Sequence, residues 1–251
     1  MKRYVRAEEG PSNSVIYYDE MGNKLIRYWK SYEGQPVEEA GTRSWRNNNP
    51  GNILIGDFAR RNASIGEAGI PLDQKEKQKK VRFAVFPDYA TGRKAQALRL
   101  KEGPMYIDLT LRELPRKYLG IVPGKPDTKE VEDYRKNIRI FSKLDMQRTI
   151  RSLNAEEYEA LLDAMKRHEG WRTGREEYVE VKKVLGVRLS KKGTMAEFLV
   201  GGDGEKIWLS KNEAIALTEK GLLHAVVVHA KHGVFLRPEY HQTAFKHLVC
   251  S

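Results

Sequence analysis

Hydrophobic residues recur at two periods along this chain, and the change of period suggests its organisation. Near the start, Val15-Ile16-Tyr17-Tyr18 and Lys24-Leu25-Ile26-Arg27-Tyr28-Trp29 flank the turn Asp19-Glu20-Met21-Gly22-Asn23. A Gly-Asn pair between two such runs predicts a β-hairpin. From Glu33 to Gly41 the chain turns polar, with Pro36 and Gly41 as breakers. The helical period takes over next. Asp88 can cap a helix to about Leu100, with Ala95 and Leu98 on one face and Gly103-Pro104 as the stop. Thr110 and Glu113 have capping-box spacing ahead of a short helix with Pro115 in its first turns. Asp127 or Thr128 caps the next helix, where Val131, Tyr134, Ile138 and Phe141 fall on one face. Asn154 with Glu157 opens a third clear helix, striped by Tyr158, Leu161, Leu162 and Met165 and stopped at Gly170.

After Arg175 the period changes to that of strands. Residues 178–184 alternate, Glu197–Val200 and Ile207–Leu209 are short strand candidates, and Gly201–Gly204 makes a loop between them. Ser210 with Glu213 caps a short helix that stops at Gly221, followed by an apolar strand over Leu223–Ala230 and a last one over Val234–Arg237. The expected fold is therefore α+β in three parts. These are an N-terminal hairpin and entry segment (1–45), a mostly helical domain (46–174) and a small β-rich α+β module (175–251).

Composition narrows the partners. A net charge of +11 implies something anionic, such as nucleic acid, anionic lipid or a wall polymer carrying carboxylates or phosphates. No run approaches the ~20 apolar residues of a membrane span. The basic start Met1-Lys2-Arg3 precedes no apolar stretch or cleavage site, so neither a signal peptide nor a membrane span is expected. The single cysteine, Cys250, excludes an intrachain disulfide and a Cys-based metal site. His224, His229, His232, His241 and His247 cluster late, but His224 and His229 would face opposite sides of one strand. No metal and no cofactor is expected.

The string Arg43-Ser44-Trp45-Arg46-Asn47-Asn48-Asn49-Pro50-Gly51-Asn52-Ile53 resembles a family of lysozyme-like domains found in phage virion proteins and in toxins of bacterial contractile secretion systems. The likeness continues through Gly56–Ala59, Ile65-Gly66, Arg82–Tyr89, Gly92 and Ala95, and resumes over Leu161–Trp171. Ile70–Lys80 looks like an insertion, and Val122–Thr128 departs from the family's string between the later helices. The resemblance implies a lysozyme-like domain at 46–174 that cleaves peptidoglycan glycan strands as a muramidase or lytic transglycosylase. The single cysteine and the lack of an expected signal peptide fit synthesis in the cytoplasm, and the resemblance implies action in the periplasm or wall of a target cell after delivery. Its partners would be peptidoglycan and a secretion-apparatus or phage component or an immunity protein; nucleic acid is not expected.

Such cleavage needs a carboxyl of raised pKa to protonate the leaving oxygen. Glu169 ends the best-defined helix four residues after Met165, hence facing inward, and the negative helix terminus disfavours its charged form. Glu33 is the rival, in a Glu-Gly pair ahead of the Asn string. Asn47, Asn48, Asn49 and Asn52 can donate and accept hydrogen bonds to sugars, or merely tie their own turn. Trp45, Tyr89 and Trp171 can stack on sugar rings, or belong to the core. Two other functions remain open: a non-catalytic wall-binding or virion module, and a toxin whose C-terminal module acts on nucleic acid. From Ile207 to Leu248 the chain weakly resembles short uncharacterised domains that share a Ser-x-x-Glu-Ala helix start, which assigns no activity.

Overall fold

The computed structural model describes residues 3–10, 14–28, 41–69, 81–102, 105–202, 204–231, 233–238 and 245–250. The protein is α+β, with helices and several small sheets. It divides into two compact units, one of residues 1–20 and 25–177, the other of 21–24 and 178–251. Of the entry segment, residues 1–20 and 25–45 fall in the larger unit and 21–24 in the smaller.

In the first unit, β1 (Tyr4–Glu9), β2 (Val15–Asp19), β3 (Lys24–Arg27) and β6 (Glu176–Val179) stand in that order in one sheet. β1 runs antiparallel to β2 with Ala7 opposite Tyr17. The alternation that predicts β2 is realised, since Val15 and Tyr17 are fully buried. A second antiparallel pair, β4 (Gly66–Gly69) and β5 (Arg82–Val85), adds Ala68 and Val85 to the same small core. Around it lie α1 (Arg43–Arg46), α2 (Asp57–Arg61), α3 (Tyr89–Lys101), α4 (Leu114–Tyr118), α5 (Lys129–Ser142) and α6 (Ala155–His168).

At α3, α5 and α6 the caps are among those read from the sequence, whereas α4 has Glu113 and not Thr110 at its N-cap. Asp88 accepts from the Thr91 amide, Thr128 from Val131, and Asn154 with Glu157 closes a complete capping box. Asp127 is not a cap; it bridges Arg116 and Arg135 instead. Leu161, Leu162 and Met165 of α6 pack with Tyr134 and Ile138 of α5 and with Leu100, Leu111 and Leu114. Each buried leucine contributes about 2 kcal/mol of transfer free energy. Phe141 departs from its predicted stripe: it is exposed near the end of α5, with the Arg167 guanidinium over its ring.

The second unit has an antiparallel sheet of β7 (Lys183–Leu189), β8 (Met195–Gly201) and β9 (Ile207–Ser210). Helix α7 (Lys211–Glu219) and the hairpin of β10 (Val226–Ala230) with β11 (Gly233–Arg237) complete it. Its core gathers Val187, Phe198, Val200, Ala214, Leu223, Leu236 and Phe245. Two predicted strands differ. Residues 178–184 divide between β6 and β7, and the strand expected from Leu223 begins only at Val226. The Lys182 amide and carbonyl bond to Leu222 and His224, which holds both breaks in place. His224 Nε2 donates to the Met21 carbonyl at 2.7 Å. No helix among the described residues is long and apolar enough to cross a membrane.

Candidate functional site: a desolvated glutamate beside the asparagine loop

The segment after α1 is a turn locked by its own backbone. The amides of Asn47, Asn48 and Asn49 bond to the carbonyls of Arg43, Trp45 and Ser44, and the Asn52 amide bonds to Asn49. Asn48 (φ 51°) and Asn52 (φ 46°) occupy the left-handed region that asparagine tolerates better than most residues. Gly51 answers a close approach: a Cβ there would lie 2.7 Å from the Tyr118 hydroxyl, which itself donates to the Gly51 carbonyl at 2.5 Å. Gly92 of α3 answers a closer one, since a Cβ would stand 1.7 Å from the Asn48 carbonyl oxygen.

The four asparagines divide into two roles. Asn49 is fully buried; its Nδ2 donates to the Ile53 and Ala84 carbonyls at 2.9 Å, and its Oδ1 accepts from the Ile53 amide at 2.8 Å. Asn48 donates to the Phe86 carbonyl and accepts from Arg27. Asn47 Oδ1 accepts from Arg46 Nε at 3.0 Å. With exposures of 0–3%, these three side chains fasten the loop to the Ile53, Ala84 and Phe86 carbonyls, to the half-buried Arg27 and to the buried Arg46. That corrects the expectation that all four line a sugar groove: three have been spent on satisfying buried backbone and guanidinium groups. Asn52 alone turns toward a chemically active group.

That group is Glu169. Asn52 Nδ2 donates to Glu169 Oε2 at 2.6 Å, and the Tyr134 hydroxyl donates to Oε1 at 3.1 Å. Arg43 Nε fixes the other end of the Asn52 amide, donating to Oδ1 at 3.1 Å, while its guanidinium lies 4.1 Å over the Phe83 ring. Glu169 is the C-cap of α6. Ser44 Oγ donates to its carbonyl at 3.3 Å; the Thr42 amide donates to the Arg172 carbonyl and the Arg172 amide to Thr42 Oγ1, which stitches α1 to the exit of α6. The residue is half-buried, and desolvation raises its carboxyl above the ordinary carboxylate range. Bonds from Asn52 and Tyr134 and the charge of Arg43 act the other way, and the charge of Glu130 adds to the rise. Burial wins this balance.

Tyr134 is itself positioned. Its ring stacks on His168 at 3.6 Å between centroids, and His168 Nδ1 accepts from the Asn137 amide at 2.9 Å. Burial lowers the His168 pKa, against the charge of Asp133. Tyr134 was legible in the sequence only as one apolar position of α5; Arg43 stood in the motif without a role. Neither has a local sequence signal for its contact with the site.

The aromatic candidates also separate. Trp45 is 4% exposed, with the Arg27 guanidinium 4.9 Å from its ring, so it is a core residue and not a stacking platform. Tyr89 and the half-buried Trp171 meet edge to face at 4.9 Å, and Lys166 Nζ bonds the Tyr89 hydroxyl. Trp171 stands two residues beyond Glu169, and Tyr89 is exposed. Glu33 lies outside the described residues, as do Trp29 and residues 70–80. No protein-family model and no curated protein matches this chain.

Proposed function

We propose that this protein cleaves the glycan strand of peptidoglycan, with Glu169 as the general acid, in a lysozyme-like domain formed by the larger unit. The observation that carries this is the Glu169 carboxyl, desolvated at a helix C-cap yet gripped by Asn52 and Tyr134. A carboxyl of raised pKa keeps its proton closer to neutral pH and can deliver it to a glycosidic oxygen as the C–O bond breaks. Asn52 and Tyr134 hold both carboxyl oxygens in one orientation. They also lower the energy of the carboxylate left after proton transfer. The resemblance of residues 43–53 and 161–171 to lysozyme-like domains selects the glycan strand as substrate, and the net charge of +11 suits an anionic wall. Tyr89 and Trp171 would stack on sugar rings beside the acid. In this proposal the protein acts after delivery, as an antibacterial effector or a phage-derived lysin.

Purified protein is added to peptidoglycan sacculi and the soluble products are identified by mass spectrometry. Release of disaccharide-peptide fragments by the wild type, and its loss in Glu169→Gln, is the expected result. Sacculi that bind the protein yet release nothing from acidic to neutral pH would leave a wall-binding module and overturn the enzymatic function.

A further inference from the structure

We infer that Glu130 is the second catalytic carboxylate, the base that draws a proton from the attacking water, so that cleavage is hydrolysis with inversion. This rests on the proposed glycan cleavage by Glu169. Glu130 is the second residue of α5 and lies one helical turn before Tyr134, whose hydroxyl holds Glu169. Residues so spaced stand about 5–6 Å apart on one helix face. Its negative charge acts on both Arg43 and Glu169, so it belongs to the same electrostatic neighbourhood. Arg43 also bonds Asn52, which closes the group.

Glu130 also has no competing task. Asp127 and Glu132 are bound to Arg135, Asp163 to Arg93, and Glu157 to Arg148. Glu130 is exposed and makes neither a salt bridge nor a side-chain hydrogen bond among the described residues. A first-turn glutamate accommodates the α5 dipole, and that accounts for its presence at the helix start. It does not require that its charge fall on a desolvated acid, where it opposes ionisation. Two carboxyls in contrasting surroundings, one buried and bonded, one open to water, is the arrangement that splits acid from base.

In the step, Glu169 gives its proton to the glycosidic oxygen, which keeps the electron pair of the broken bond. Water oxygen bonds to the anomeric carbon from the opposite face, and its proton passes to Glu130. Solvent then takes the proton from Glu130 and returns one to Glu169. Retaining enzymes bring their carboxyls to about 5 Å, whereas inverting ones keep roughly 6.5–9.5 Å for the water. A base that serves a water needs the wider spacing, and an inverted product is its signature.

The test is sacculus digestion by wild type, Glu130→Gln and Glu169→Gln, with product configuration read by NMR and azide added as a replacement nucleophile. Glu130 is exposed, so its variant should fold, checked by circular dichroism. Expected are an α-configured reducing end from wild type, a loss of about 100-fold or more in Glu130→Gln, and an α-glycosyl azide from that variant with azide present. Full activity in Glu130→Gln with loss in Glu169→Gln would overturn the role of Glu130 and leave Glu169 standing. A β-configured or 1,6-anhydro product would do the same, since either replaces the water that Glu130 serves. A wild type inert on sacculi would overturn both.

Discussion

Helices α6 and α7 carry the same punctuation and end in opposite chemistry. Each opens on a complete capping box, Asn154 with Glu157 and Ser210 with Glu213. Each closes on a glycine of positive φ, Gly170 at 71° and Gly221 at 64°. The next residue's amide reaches back five positions in both, Trp171 to Lys166 and Leu222 to Leu217. Yet the C-cap of α7 is the exposed Lys220, a charge the helix terminus favours, whereas that of α6 is Glu169, a charge it disfavours. Local capping rules therefore specify where both helices stop. Of these two C-caps, only that of α6 is a carboxylate, and donors from Asn52 and Tyr134 hold it. Such a local conflict inside an otherwise consistent helix is where function is to be sought.

The largest effect should come from removing the conflict. Glu169→Gln is expected to lower glycan cleavage about 1,000-fold, while Lys220→Gln leaves it unchanged in the same assay. The same Gln substitution should stabilise the protein at neutral pH. A raised folded-state pKa means that the folded protein holds the Glu169 proton more tightly than the unfolded chain does. That contribution to stability is full below the ordinary carboxylate range and is lost as pH rises through the raised value. Thermal melts should thus show Glu169→Gln above wild type at pH 7, with the gap closing as pH falls below about 4. A wild type as stable as the variant at pH 7 would mean that the buried carboxyl carries no ionisation cost.

A second contrast lies within the asparagine loop. Asn49→Ala strips three hydrogen bonds from buried backbone groups and should cost about 3 kcal/mol in denaturant unfolding. Asn52→Gly keeps the left-handed backbone available, so its stability should change by less than about 1 kcal/mol. Its cleavage rate should nonetheless fall about 10-fold or more, through loss of the bond to Glu169. Equal stability losses in the two variants would erase the division between scaffold and site.

These contrasts show what can be read from a linear sequence. Caps, stripes and glycine stops depend on neighbours within a few residues, and so α6 and α7 were legible with both ends and α3 and α5 at their starts, whereas the stop of α5 at the left-handed Lys143 was not. Glu169 was legible as an inward carboxylate at a helix end, because both properties are local. The roles of the asparagines were not: Asn47, Asn48, Asn49 and Asn52 are alike in composition, and only contacts 35 to 117 residues away separate Asn49 on Ala84 from Asn52 on Glu169. Tyr134 is the sharpest case. Its hydrophobic spacing predicted burial correctly, and its hydroxyl contact with Glu169 depends wholly on how α5 meets α6. The strand β1 was missed because its residues Tyr4–Glu9 alternate weakly and carry charge.

The smallest effect tests the parallel itself. Alanine at a positive-φ helix stop costs about 1 kcal/mol, because a Cβ crowds the following carbonyl in the left-handed conformation. No neighbouring atom lies within 4 Å of the position a Cβ would take at Gly170, and at Gly221 only the flexible Lys24 Nζ, at 2.7 Å, would have to move. Gly170→Ala and Gly221→Ala should therefore destabilise the protein alike, to within a few tenths of a kcal/mol in urea unfolding. Their effects on cleavage should differ. Gly170 steers the chain from Glu169 into Trp171 and Arg172, whose backbone bonds to Thr42 fasten α1 and the asparagine loop. A small shift there changes how Asn52 meets the acid, whereas Gly221, whose carbonyl accepts from Lys24 Nζ, bonds to neither Asn52 nor Glu169 among the described residues. If Gly221→Ala slowed cleavage as much as Gly170→Ala, stability alone would explain both, and the distinction drawn between the two helix ends would fail.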